Sequence, residues 1–188
     1  MTDPFAFALA VLALLGTPGP TNTLLAASGA MRGARRSLPL RAAELGGYLA
    51  AILLLHGLLG DLVRDAPALR TGLRVLVGAY LVFVAVRLWL RPPGPAGAAP
   101  ASFAAVLVTT LLNPKAIVFA FVVIPFGSPW AAAYLGAFSA MTVLAGAAWI
   151  LAGAWLGQQG AAARHPRIAP RLSAVVLCAF AAGRGAGG

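Results

Sequence analysis

Long apolar runs dominate the chain, and two of them are interrupted in the middle. The first extends from Phe5 to about Met31 and contains Thr17-Pro18-Gly19-Pro20-Thr21-Asn22. Proline has no N–H to donate and clashes with the carbonyl four residues back. It also pushes the preceding residue out of the helical region. Two prolines about one glycine therefore end one helix and start another inside a single run. The second interruption, Asn113-Pro114-Lys115, lies in the run 102–126. A bilayer core of about 30 Å takes roughly 20 apolar residues of helix. By that measure the pattern predicts an all-α integral membrane protein with six transmembrane helices, at about 5–31 (broken), 42–60, 68–90, 102–126 (broken), 130–156 and from 171 onward. The sixth is poor, because glycines and Arg184 interrupt it.

The breaks imply a symmetry. The stretch 92–100 is a Pro/Gly/Ala linker, and it divides one transmembrane domain, 1–188, into halves of about 1–91 and 101–188. Each half has three helices, and the first helix of each half carries the break. An odd number of helices per half gives the halves opposite topology. Inverted repeats with interrupted helices in matching positions mark secondary transporters, with the substrate site near the midplane between the breaks. The plainer alternative is two unrelated proline kinks, which need no function.

Composition supports the membrane reading. Hydrophobic residues make up 61% of the chain and charged residues 10%, against roughly 25% charged in soluble domains. The net charge of +10 comes from thirteen arginines and one lysine against four acids. In a soluble protein this balance would point to nucleic acid. Here the arginines fall in the gaps between apolar runs, so membrane orientation explains them and no nucleic-acid partner is expected. Nine of them (Arg32, Arg35, Arg36, Arg41, Arg87, Arg91, Arg164, Arg167 and Arg171) fall on one side, which should be cytoplasmic. Both termini are then external. Asp3 is the only charged side chain before the first run, so a basic signal-peptide n-region is lacking and a retained first helix is expected. Cys178 is the only cysteine, which excludes an internal disulfide and a cysteine-built metal site.

Few side chains inside the runs can carry chemistry. Lys115 is the only lysine, and it lies about a dozen residues from either end of its segment. Ionisable groups at such depth usually face a cavity and pair with something; the alternative is a lysine that snorkels to the interface. Its candidate partners are a substrate carboxylate, the carbonyls freed by Pro114, or Glu44. Asn113 and Asn22 offer amides beside the two breaks. The start of a half-helix directs its positive dipole end into the gap, and with Lys115 this makes a seat for a carboxylate. Thr17, Thr21 and Thr23 either contribute hydroxyls or cap the broken turns. Glu44 and His56 lie twelve residues apart on helix 2, close to one face. Either could carry a proton; equally, Glu44 could pair with a loop arginine and His56 bond a neighbouring helix. Trp89, Trp130, Trp149 and Trp155 fall mostly near segment ends, as an aromatic belt would.

The stretches Thr17-Pro18-Gly19-Pro20-Thr21-Asn22-Thr23-Leu24-Leu25, Arg32-Gly33-Ala34-Arg35-Arg36 and Leu112-Asn113-Pro114-Lys115-Ala116-Ile117 resemble the lysine-exporter (LysE/RhtB) family. Gly78-Ala79-Tyr80-Leu81 and the helix around His56 are similar to it too. Members are small bacterial inner-membrane exporters of amino acids and their derivatives. The resemblance covers about residues 5–126 and implies efflux driven by the proton motive force. It places Pro18, Pro20, Asn22, Asn113, Pro114 and Lys115 on the family's motifs, and with Thr17 and Gly19 these are the candidate substrate-binding residues. The chain departs from the family in having Thr21 before Asn22, Pro125-Phe126 where Pro-Gln-Phe is common, and a last third that matches only in hydropathy.

The expected function is thus export of amino acids or similar small metabolites across the bacterial cytoplasmic membrane, with no cofactor and no metal. The alternatives are a membrane-embedded enzyme or assembly factor, or a cation exporter. A hydrolase would need a Ser/His/Asp constellation or a metal cluster, and the two histidines, His56 and His165, stand in neither. Gly46-Gly47, Gly136 and the glycines 146–153 suit close helix packing within a protomer or across a homodimer. Orientation is testable with single cysteines in a Cys178→Ala background. Impermeant label applied to intact cells should reach position 128 or 188 and not 35 or 164, and labelling at 35 would reverse the assignment.

Overall fold

The computed structural model describes residues 3–66 and 101–158, with positions 68, 71, 72, 75, 79, 82 and 86 also placed in helical conformation. The described residues are helical and contain no strand. Helix 6, the linker and most of helix 3 of the sequence reading lie outside them.

The first apolar run forms two helices. In α1 (Pro4–Gly16), proline sits where its missing N–H is not needed, and the Asp3 carboxylate caps the end by accepting from the Phe5 N–H at 2.9 Å. Thr17 and Gly19 are extended, and α2 (Pro20–Arg32) starts on Pro20. The two axes meet at 61°. Gly33 ends α2 at φ 78°, a left-handed conformation that favours glycine. A short α3 (Ala34–Ser37) leads into α4 (Leu40–Asp65), which outruns the expected 42–60 at both ends. No proline lies within it, so polar residues such as Arg41 and Asp61 continue the helix. The second broken run comprises α5 (Phe103–Leu111), then α6 (Lys115–Val118), whose continuation Phe119–Val123 is a wider π turn. Its two limbs meet at 52°. Last is α7 (Ala131–Gln158).

By length and composition α3–α4 and α7 can each cross a membrane, and the two helices of each bent pair pass the same test when taken together. The outer surface agrees: Leu9, Leu54, Leu58, Leu62, Leu144 and Leu151 are all exposed. Such a surface suits hydrocarbon as solvent. Both sequence breaks are therefore real interruptions of the helix within apolar runs.

Inside, Phe7, Leu14, Tyr48, Ile52, Phe119 and Phe138 are buried in the main core. Phe119 meets Phe138 edge-on with ring centroids 4.8 Å apart, and Tyr48 at 5.5 Å. The α2–α7 contact is closer still. A Cβ built on Gly153 would strike the Ala26 carbonyl, one on Gly29 the Ile150 carbonyl, and one on Gly157 would lie 2.6 Å from the Ala30 oxygen. Hydrocarbon gives helices little drive to associate, so backbones approach through small residues and gain packing and Cα–H···O contacts. Gly47 does the same for α4 against α5, where a Cβ would stand 2.7 Å from the Thr110 Cβ.

Gly153→Ala should force α2 and α7 apart and cost about 1–3 kcal/mol, the usual range for overpacking. Gly136→Ala, with open space around its Cβ, should be neutral. Thermal unfolding of the two purified variants in detergent checks this; equal midpoints would refute the close contact.

Candidate functional site

The end of α1 sets the problem that the site solves. The last carbonyls of a helix have no partner within the helix, and in a bilayer each must find one in the protein. The Ala13 carbonyl accepts from the Thr17 N–H at 3.2 Å and the Thr17 hydroxyl at 2.7 Å. The Leu14 carbonyl accepts from the Lys115 ammonium at 2.7 Å. That of Leu15 accepts from the Asn22 amide at 2.7 Å and the Trp149 indole N–H at 3.1 Å. Thr17's own carbonyl takes the Asn22 amide and Lys115 Nζ, both at 2.7 Å. The first break is thus closed by the second.

Further bonds join the breaks. Asn113 Nδ2 donates to the Thr21 hydroxyl at 3.2 Å and the Tyr48 hydroxyl at 3.3 Å. The Thr21 and Thr110 hydroxyls lie 3.1 Å apart, and Thr110 Oγ1 donates back to the Val106 carbonyl at 2.8 Å. Within its own break Asn113 Oδ1 accepts the Lys115 N–H at 3.1 Å, fixing the turn from which the lysine side chain departs. Thr21, Asn22, Thr110, Asn113 and Lys115 are all buried. The breaks therefore face each other across a closed polar seam.

Lys115 is 5% exposed, so it does not snorkel. Its carbonyl partners belong to the first break, where the sequence reading offered those freed by Pro114. The ammonium thus neutralises the negative end of the α1 dipole. Three N–H groups are available to it, and the two carbonyl bonds use two of them. Gly19 lies against it; a Cβ there would be 3.4 Å from Nζ. Of the prolines named above, Pro18 is buried, Pro114 half-buried and Pro20 exposed.

The proton-carrying candidates separate. Glu44 is 1% exposed, and its Oε2 has no hydrogen-bond partner. It packs against α7, where a Cβ on Gly146 would strike that same oxygen. The alternative pairing with a loop arginine does not form: Arg41, one turn away, gives its Nε–H to the Leu38 carbonyl at 3.0 Å. His56 is half-buried and stacks on Phe126, with ring centroids 3.8 Å apart and planes at 11°. Helical arithmetic put the two near one face, yet they meet different elements. Trp149 also departs from expectation, since its indole closes the α1 end instead of joining an interfacial belt; Trp130 and Trp155 are exposed as a belt would have them. Tyr48 and Thr110 belong to the seam and were not singled out by sequence. Their spacing from Glu44 and Asn113, one helical turn in each case, was the available signal.

Among the described residues no group of three His, Cys, Asp or Glu could hold a metal ion. An apolar groove of about 710 Å³ runs between α1 and α7, lined by Phe7, Trp130, Tyr134 and Met141 among others, and shares no residue with the seam.

These features define a small helical membrane protein built on two interrupted spans joined through a buried lysine. The chain belongs to the LysE type translocator family, whose family model matches residues 12–183. It is also similar to an uncharacterized membrane protein of Pseudomonas aeruginosa, with 34% identity over 134 residues, covering 63% of this chain and 61% of that one. The chain thus spans about three fifths of the length of this curated relative. No solved structure matches it.

Lys115→Met would leave the Leu14 carbonyl without its donor and take one of two donors from Thr17. A buried unsatisfied acceptor costs about 1–3 kcal/mol, so the unfolding midpoint in detergent should drop. Lys115→Arg, which keeps donors, should lose less. An unchanged midpoint for Lys115→Met would show that the ammonium does not hold the end of α1.

Proposed function

We propose that this chain is a secondary exporter of the bacterial cytoplasmic membrane that moves amino acids or similar small metabolites outward at the expense of the proton motive force. In this reading its six spans form two inverted halves of a single transmembrane domain, with both termini outside. The observation that carries the proposal is the clasp of the two broken spans by Lys115. A buried ammonium held by neutral carbonyls, with an N–H left over, is a seat that a carboxylate can take. Charge-assisted hydrogen bonds are stronger than those to neutral acceptors, so an incoming carboxylate can draw the ammonium away from Leu14 and Thr17. That movement would open the seam between α1–α2 and α5–α6.

The residues divide by role. Lys115 and the Gly19 backbone beside it would receive the substrate. Asn113 would sense its arrival, because the same side chain holds the lysine backbone and the Thr21–Tyr48 contacts. Thr17 and Asn22 would shape the first break, and Pro18, Pro20 and Pro114 would keep the helices from re-forming across the gaps. The family match supports translocation, and the small-molecule substrate and lipid surroundings follow from it. An enzymatic reading has no observation in its favour.

Cells expressing the protein should survive toxic levels of one or a few amino acids and show lowered internal pools of them. A Pro18→Ala, Pro20→Ala, Pro114→Ala variant should insert at normal abundance yet give no protection. Full protection by that variant would reduce the breaks to ordinary kinks; no protection by the unaltered protein against any amino acid would remove this substrate class.

A further inference from the structure

The chain has four acidic residues, and the fold disposes of three of them. Asp3 is exposed and caps α1. Asp61 and Asp65 are exposed near the end of α4. Glu44 alone is inside. Its Oε2 has no donor, and α7 closes over it at Gly146, the one residue type whose lack of a Cβ leaves room for that oxygen. An ionised carboxylate buried without a hydrogen-bond donor is costly, and a group left so in a native structure calls for an explanation such as a functional role or a bound ion or water.

Its surroundings restrict what that can be. On α4 the titratable and charged neighbours are Arg41, whose Nε–H bonds the Leu38 carbonyl, and Tyr48, one turn on, whose hydroxyl accepts from Asn113. Gly146 of α7 brings no charge. From α6 comes Lys115, which interacts with Glu44 electrostatically but gives its hydrogen bonds to Leu14 and Thr17. The carboxyl therefore lies one helical turn from the seam residue Tyr48, buried and with Oε2 unbonded.

We infer that Glu44 is the exchange site of the transporter, occupied in turn by a proton moving inward and by the cationic group of the substrate moving outward. This rests on the exporter reading above. When the site opens outward, a proton from external water bonds to a Glu44 oxygen as the substrate ammonium leaves. When it opens inward, that O–H bond breaks, the proton passes to cytoplasmic water, and the carboxylate takes the next ammonium. One positive charge occupies the site in either direction, so the carboxylate is never carried across bare. Competition for a single group makes the exchange obligatory without any further coupling device. The substrate must then carry a cationic group as well as the carboxylate that Lys115 receives.

Glu44→Gln keeps the volume and the uncharged hydrogen-bonding character but cannot cycle a proton. In inverted vesicles it should lose uptake driven by a pH gradient, and Glu44→Asp should retain part of it; His56→Gln, with its ring on Phe126, should keep both the rate and the pH profile. Infrared spectroscopy of the reconstituted full chain supplies a readout free of transport. Acidification should bring up a protonated-carboxyl carbonyl band that Glu44→Gln lacks, and a pool of the twenty standard amino acids should diminish it where the same pool N-acetylated does not. Normal pH-driven uptake by Glu44→Gln, or a band that survives the substitution or responds equally to both pools, would overturn the proposal. Absence of uptake by the unaltered protein would instead count against the exporter reading, while the infrared titration would still decide whether Glu44 takes up a proton in competition with an ammonium.

Discussion

Everything in the structure bends to the unfinished end of α1. A helix that stops inside a bilayer leaves carbonyls that water cannot reach, and each costs several kcal/mol if nothing binds it. The donors come from three other elements: Asn22 at the start of α2, Lys115 at the second break and Trp149 on α7. Lys115 is 101 positions from Leu14 in the chain. The second interruption therefore supplies part of what stabilises the first, and the two form one structural unit although they lie far apart in sequence.

That unit separates what is fixed from what can exchange. Between α2 and α7 the backbones touch at Gly29, Gly153 and Gly157, with no side chain to rearrange. A contact of that kind either holds or fails. Between the broken spans the contacts are hydrogen bonds among Thr21, Thr110, Asn113, Tyr48 and Lys115, and each can be given up if another partner is offered. The π turn Phe119–Val123 follows directly, a local widening of the helix that is frequent at functional sites. In the exporter reading, movement would fall along α5–α6, with α2 and α7 as its frame.

Local chemistry was legible in the sequence and long-range pairing was not. The prolines at 18, 20 and 114 act on their own neighbours, so both breaks and the spans around them could be placed to within a few residues. The burial of Lys115 was also legible, since a lone cation so deep in an apolar run has nowhere else to go. Its partners were not, because the carbonyls it binds look in sequence like any others. Asn22 offers its amide to a freed carbonyl or to a substrate on the sequence reading, and its Nδ2 is found on the Leu15 and Thr17 carbonyls, a pairing that depends on how sharply the chain turns at 61°. Trp149 was misplaced for a related reason. Distance from a segment end is a weak guide to depth for a 28-residue helix, which at about 1.5 Å per residue is longer than a bilayer core of about 30 Å.

The two buried charges show why a seat of this design stays usable. Lys115 and Glu44 share the interior, yet the lysine hydrogen-bonds to carbonyls and the carboxylate oxygen to nothing. Had they formed a direct ion pair, each would have been satisfied by the other, and a substrate would have had to break a buried salt bridge, which commonly costs several kcal/mol. Neutral carbonyls hold an ammonium more weakly than a carboxylate does, and they can return to it after each turnover. Keeping the charges apart would then, in the exporter reading, hold the lysine in place without a substrate and leave it available to one. In the exporter reading, this separation by neutral backbone is what allows a chain with a single lysine and a single buried acid to bind a zwitterion and still release it.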